Sequence, residues 1–150
     1  PGRLRGAGRR GACRRPIGGD FAVMSLSDRL KPWDVIEKRL AAVSEADLVL
    51  GIYNPASRSR TTQVADAKTV LLRHRPADTV VVIGRDVGRS GESLEVTTLE
   101  KLDPAGIDMK CLLIVGAAGT SVTPTGAVWT KRSVDGQSSG SSTTDWTSRP

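Results

Sequence analysis

A chain of 150 residues, 38% of them apolar and with 16 glycines, is one domain's worth of a folding protein with material for a real core. No apolar run approaches the ~20 residues that span a bilayer, and no apolar stretch follows the early arginines as a secretion signal requires, so a soluble, cytoplasmic chain is expected. The formal charge of +6 does not make it a nucleic-acid binder: Arg3, Arg5, Arg9, Arg10, Arg14 and Arg15 precede any acid, and the rest of the chain holds 16 basic and 16 acidic residues.

In chain order, residues 1–16 form a Gly/Arg-rich head expected to be disordered. Phe21-Ala22-Val23-Met24-Ser25-Leu26 reads as a first short strand. Pro32 suits the first helical position, and Trp33, Ile36, Leu40 and Val43 repeat at three to four residues, predicting a helix that ends near 44–46. Leu48 to Tyr53 is apolar without alternation, the pattern of a strand covered on both faces, and it stops at Asn54-Pro55. Pro55 to Thr62 is a polar, basic loop. Thr62 suits the cap of a second helix with Val64, Ala65, Ala67, Leu71 and Leu72 as its apolar side, ended by Pro76. Thr79 to Ile83 is a second β-branched run, leading into the glycine-bearing 84–91.

Glu92 to Thr97 alternates, which predicts a half-exposed strand antiparallel to its neighbour. Thr97 and Glu100 have capping-box spacing for a short helix through Leu102, closed by Pro104. Cys111 to Val115 is the fifth strand, ending at Gly116-Ala117. Ala127-Val128-Trp129 is too short a run to assign. Residues 133–150 are Ser-, Gly- and Thr-rich without periodicity and read as a disordered tail. The folded unit is expected over 17–132.

Two cysteines, Cys13 and Cys111, and one histidine, His74, give neither a disulfide framework nor a metal-ligand set, and no metal is expected. His74 belongs to a solvated helix end. Tyr53-Asn54, Asp86-Val87-Gly88 and Gly116-Ala117 each follow an apolar strand. If those strands are neighbours, their loops line one rim, which offers backbone polar groups to a heterocycle or an amino-acid moiety. Gly84-x-x-x-Gly88-x-x-Gly91 is neither a dinucleotide fingerprint nor a phosphate loop. Arg58, Arg60, Arg85 and Arg89 suit a substrate bearing several carboxylates. No carboxylate pair stands out as acid and base, so no catalytic residue is assigned and the chemistry expected is one of positioning.

Ser25-Leu26-Ser27-Asp28, Pro32-Trp33-Asp34-Val35-Ile36-Glu37-Lys38-Arg39-Leu40, Tyr53-Asn54-Pro55, His74-Arg75-Pro76, Gly84 to Arg89, Thr97-Thr98-Leu99 and Asp108-Met109 to Gly116 together resemble the precorrin-3B C(17)-methyltransferases, of the tetrapyrrole methylase family. The resemblance covers about 17–132 and corresponds to the second domain of that family. The head departs from the family pattern after Pro1-Gly2 and returns to it near Pro16.

The resemblance implies a three-layer αβα fold on a mixed sheet of about five strands. It implies S-adenosylmethionine held in a cleft between two domains, so that a first domain or a homodimer partner completes the site. It also implies methyl transfer to carbon 17 of a precorrin, with ring contraction, in cobalamin synthesis. The second domain's share of the cofactor site falls on Tyr53, Asn54, Asp86, Val87, Gly88, Lys110, Cys111 and Leu112. Asp86 stands where the family usually has Asn. The other reading is a non-catalytic remnant or binding module that keeps the fold.

Overall fold

The computed structural model describes residues 19–56 and 62–131. The head, the Ser-rich tail, Cys13, and the loop carrying Arg58 and Arg60 lie outside the described residues. Among the described residues seven strands and two helices follow one another: β1 (Phe21–Ser25), α1 (Trp33–Glu45), β2 (Val49–Tyr53), α2 (Gln63–His74), β3 (Val80–Arg85), β4 (Ser93–Thr98), β5 (Cys111–Val115), β6 (Thr120–Val122) and β7 (Val128–Thr130). A 3-10 turn, Pro104–Gly106, precedes β5.

The main sheet is five-stranded and mixed, in the order β1-β2-β5-β3-β4. β1 and β2 pair in parallel, and β5 runs antiparallel to both β2 and β3. β1, β2 and β3 therefore point the same way, with β5 reversed between β2 and β3. β4 is antiparallel to β3, as the alternation of Glu92 to Thr97 predicts. This is the α/β mixed-sheet class expected from the sequence.

Register assigns the faces. Met24 lies opposite Ile52, Ile52 opposite Leu113, and Leu113 opposite Ile83. With Leu50, Val81, Cys111 and Val115 they form one face, packed against Ile36 and Leu40 of α1 and Val64, Ala67, Val70 and Leu71 of α2. Each Val, Leu, Ile or Met among them contributes about 1.5–3 kcal/mol by leaving water. Both helices lie on this face, as expected when two successive crossovers step the same way across a sheet with the usual right hand.

On the other face Val49 and Val82 are buried with Ala127 and Val128 of the β6–β7 hairpin. β6 of that hairpin lies beside β3. Phe21 and Val23 of β1 stay more than half exposed.

Three local expectations change. Pro32 is the residue before α1 rather than its first, and its carbonyl accepts from Val35 and Ile36. Leu72 is exposed, and Val70 takes its place on the buried side of α2. The short helix at 97–102 is only a turn, closed by Leu102 N–H to Thr98 O at 2.9 Å. The Leu99 and Glu100 amides instead donate to Thr79 O and Ala77 O, at 2.8 and 2.9 Å, so tertiary contacts take the donors a capping box needs. Among the described residues no helix is long and apolar enough to cross a membrane.

Candidate functional site

Because β2 and β3 run one way and β5 the other, the end of β2, the end of β3 and the start of β5 meet at one rim. Arg85 pairs with Cys111, Gly84 with Leu112, and Ile52 with Leu113. Tyr53-Asn54, Asp86-Val87-Gly88 and Lys110-Cys111-Leu112 are thus brought together, although they come from three separate stretches of sequence. Gly116-Ala117 is not among them. It follows the reversed strand and sits at the opposite rim, where Gly116 N–H donates to Val80 O at 2.7 Å. The expectation that it shares the rim fails because β5 is antiparallel.

The two strand ends are built alike. Asn54 and Asp86 have φ of 49° and 50°, the left-handed region that Asn and Asp enter more readily than other side-chain-bearing residues. Asn54 is held by its amide to Ser25 Oγ at 3.3 Å, while Leu26 N–H takes the Tyr53 carbonyl at 3.2 Å. Asp86 N–H donates to Lys110 O at 3.2 Å, and Asp86 O accepts from Arg89 N–H at 2.9 Å. That second bond closes a turn with Gly88 in its third position at φ 81°, where a type II turn demands glycine.

A side chain at Gly88 would meet no neighbour within 4 Å, so the space over this backbone is open. Tyr53 is 45% and Val87 50% exposed, and both present apolar surface at the rim. No described backbone carbonyl takes the amides of Val87 and Gly88. Open backbone donors beside an aromatic ring and an aliphatic side chain suit a ligand with one flat apolar part and one polar part.

Beneath the rim lies an ionic cluster. Arg85 donates from Nη1 to Asp108 Oδ2 at 2.6 Å and from Nη2 to Gly106 O at 2.6 Å. The other oxygen of Asp108 accepts from Lys110 N–H at 2.8 Å and from the Cys111 thiol at 3.5 Å. The Lys110 N–H, followed by the Cys111 thiol and Arg85, holds Asp108 below the usual carboxylate range against partial desolvation. Burial pushes the Cys111 thiol up, so it is a packed thiol rather than a thiolate nucleophile. Negative charge at Cys111, were it to ionise, and at Asp108 raises Arg85.

Of the four arginines expected to meet substrate carboxylates, Arg85 has its guanidinium occupied by Asp108 and Gly106. Arg89 is exposed on the 86–92 loop. Arg58 and Arg60 lie outside the described residues. His74 is the exposed last residue of α2, as expected. Among the described residues no group of His, Cys, Asp and Glu is placed to hold a metal ion. A shallow cleft of about 200 Å³ between Ile83, Glu95, Lys101 and Ile107 lies on the helix side of β3 and β4. It is smaller than the ~300–1,000 Å³ of ordinary ligand pockets.

The fold is that of a methyltransferase domain. The solved structure of the methyltransferase CobJ superposes with a TM-score of 0.76 at 30% identity, over 83% of this chain and 52% of that one. Curated relatives place it further. The chain is 40% identical over 107 residues to precorrin-3B C(17)-methyltransferase of Sinorhizobium sp, and 44% identical over 107 residues to the probable cobalt-factor III C(17)-methyltransferase of Salmonella typhimurium. It is 58% identical over 109 residues to the cobalamin biosynthesis protein CobIJ of Mycobacterium tuberculosis.

These matches take in 70–71% of this chain but only 42%, 44% and 22% of the respective relatives. The chain thus spans less than half the length of each. No family model matches. The chain is a homologue of the C(17)-methyltransferases of cobalamin synthesis over that shared stretch, as its motifs imply.

Proposed function

We propose that this chain supplies one wall of an S-adenosylmethionine site in a methyltransferase that acts at carbon 17 of a precorrin, with ring contraction. One observation carries this reading: the register of β2, β5 and β3 gathers Tyr53-Asn54, Asp86-Val87-Gly88 and Lys110-Cys111-Leu112 at one rim. The methyltransferase names of the relatives support it.

The residues present fit the cofactor. Tyr53 and Val87 offer apolar surface to an adenine, and the backbone at Val87 and Gly88 offers donors to its polar groups. When bound, the cofactor supplies an activated methyl group. The protein's task is to hold that methyl in line with the accepting carbon. Arg89, with Arg58 and Arg60, is the proposed partner of the carboxylates on the tetrapyrrole.

Working sites bury ~70–90% of a ligand, and an open rim does not. The chain alone should therefore bind S-adenosylmethionine weakly or not at all. Adding the part of a relative that this chain does not match, as a separate polypeptide, should tighten binding. In that pair Tyr53→Ala removes an aromatic wall, and Gly88→Val puts a β-branched residue at φ 81° and closes the backbone approach. Calorimetry on the chain alone and on the pair is the test. Unchanged affinity in both variants would refute the residue assignment. No binding in the pair would favour a remnant that keeps the fold without turnover.

A further inference from the structure

We infer that Arg85 and Asp108 are positioning residues of this rim: their ion pair sets the backbone of Lys110 and, through it, the left-handed turn at Asp86. The inference rests on the cofactor reading above and deepens it. It also moves Arg85 from the expected substrate contacts to a supporting role, because the guanidinium fork is already engaged on both nitrogens.

The chain of contacts is continuous. Arg85 is the last residue of β3, and its two terminal nitrogens hold Asp108 Oδ2 and Gly106 O, each at 2.6 Å. They join the end of β3 to the segment that enters β5. Asp108 Oδ1 is then free to accept from the Lys110 amide at 2.8 Å, two residues on, the pattern of an Asx turn. Asp108 O accepts from Cys111 N–H at 3.2 Å, which seats the first residue of β5 opposite Arg85.

With its amide fixed, Lys110 presents its carbonyl to Asp86 N–H at 3.2 Å. Asp86 at φ 50° then starts the turn that puts Gly88 over the rim. The bidentate guanidinium is required because one group must reach a carboxylate and a carbonyl at once. A lysine ammonium on a flexible stem does not hold both in a fixed plane.

The pair is exposed, so its net contribution to global stability is small. That separates a positioning role from a structural one. The test uses the full chain labelled with ¹⁵N and paired with the unlabelled part of a relative that it does not match, with Arg85→Lys and Asp108→Asn as variants. Amide exchange is followed at Asp86, Lys110 and Cys111, shift changes at Tyr53, Gly88 and Leu112 are followed on titration with S-adenosylmethionine, and thermal unfolding is recorded for each protein.

Exchange at Lys110 and Asp86 should rise about tenfold or more in both variants as the local turn opens more often. The titration midpoint should weaken roughly three- to tenfold, the scale of one hydrogen bond lost from good geometry. The unfolding temperature should barely move. Unchanged exchange and midpoint in Arg85→Lys would overturn the clamp and leave the cofactor reading standing. An unmutated pair that shows no shifts at Tyr53, Gly88 or Leu112 would overturn the cofactor reading, and the positioning role with it. A large fall in unfolding temperature would make the pair structural and overturn the inference.

Discussion

At the level of single residues, the two strand ends show what a sequence can and cannot announce. Tyr53-Asn54 is visible because an apolar run stops abruptly at a turn former. The left-handed φ at Asn54 and Asp86 fits two of the residue types that tolerate it. Asp86, where the resemblance implies Asn, keeps that backbone freedom. Lys110-Cys111-Leu112 carries no such signal: its place at the rim comes only from register, and without the family resemblance it would have passed as an ordinary strand start. Asp108 leaves no periodic trace, because an Asx turn just ahead of a strand has no repeat to read. Its chemistry is nonetheless testable by pH. The Lys110 amide above all, with the Cys111 thiol and Arg85, lowers Asp108 in the folded state. A lowered carboxylate contributes stability that is present above its unfolded value, about 3.9, and is lost as pH falls through the folded value. The stability difference between the unmutated chain and Asp108→Asn should therefore be constant from pH 7 to about 5 and shrink below pH 4. Because Asp108 is exposed, the whole effect is small. Urea unfolding at pH 6, 4 and 3 measures it, and a difference that grows on acidification would contradict the assignment.

At the level of elements, the strands and both helices were legible because each has its own period: unbroken apolar runs for β2, β3 and β5, alternation for β4, and three-to-four spacing for α1 and α2. The β6–β7 hairpin leaves no signal in the sequence because three-residue strands are too short to show a period. The rim opposite the site depends on a residue that appeared in the sequence only as part of His74-Arg75-Pro76. Arg75 is 5% exposed. It donates to Gly116 O at 2.6 Å, to Val43 O at 3.2 Å and to Leu48 O, tying the end of α1, the entry to β2 and the exit of β5 together. Burial lowers it and the nearby Asp47 raises it, so the site holds a charge that is only partly compensated. Arg75→Ala takes a donor from three carbonyls, of which Val43 O still accepts from Leu48 N–H at 3.3 Å. It should cost about 2 kcal/mol or more, since each buried group left unpaired costs about 1–3 kcal/mol. Arg75→Lys should recover only part of this, because one ammonium does not reach three carbonyls on different elements. Denaturant midpoints for the two variants decide the matter: equal midpoints for Lys and Ala would mean that charge, not the fork, is irrelevant here, and an unchanged midpoint for Ala would refute the tie altogether.

At the scale of the whole molecule, strand order is what the sequence withheld. Five strands in a mixed sheet were legible, but nothing local distinguishes β5 lying between β2 and β3 from β5 lying at an edge. Gly116-Ala117 was consequently expected at the wrong end. Strand order is set by which apolar faces close over one another, a long-range property that no window of residues contains. The same closure bears on where the domain ends. The main core runs from Met24 to Val115, Ala127 and Val128 are buried as well, and among the described residues the strands of both sheets pair within Phe21–Thr130. We propose 17–132 as the folding unit. A chain cut to those residues should unfold cooperatively, within about 2–4 °C of the full chain, the shift expected for less than about 1 kcal/mol in a domain of this size. Phe21 and Val23 give the experiment its edge, because they leave β1 with the most exposed apolar surface of any strand in the main sheet. If residues outside 17–132 cover that surface in the full chain, truncation removes the cover. Burying two such side chains is worth about 3 kcal/mol or more, so the unfolding temperature would then fall by about 10 °C or more. Calorimetric scans of the two chains under one buffer separate these outcomes, and a fall of that size would refute the proposed limits.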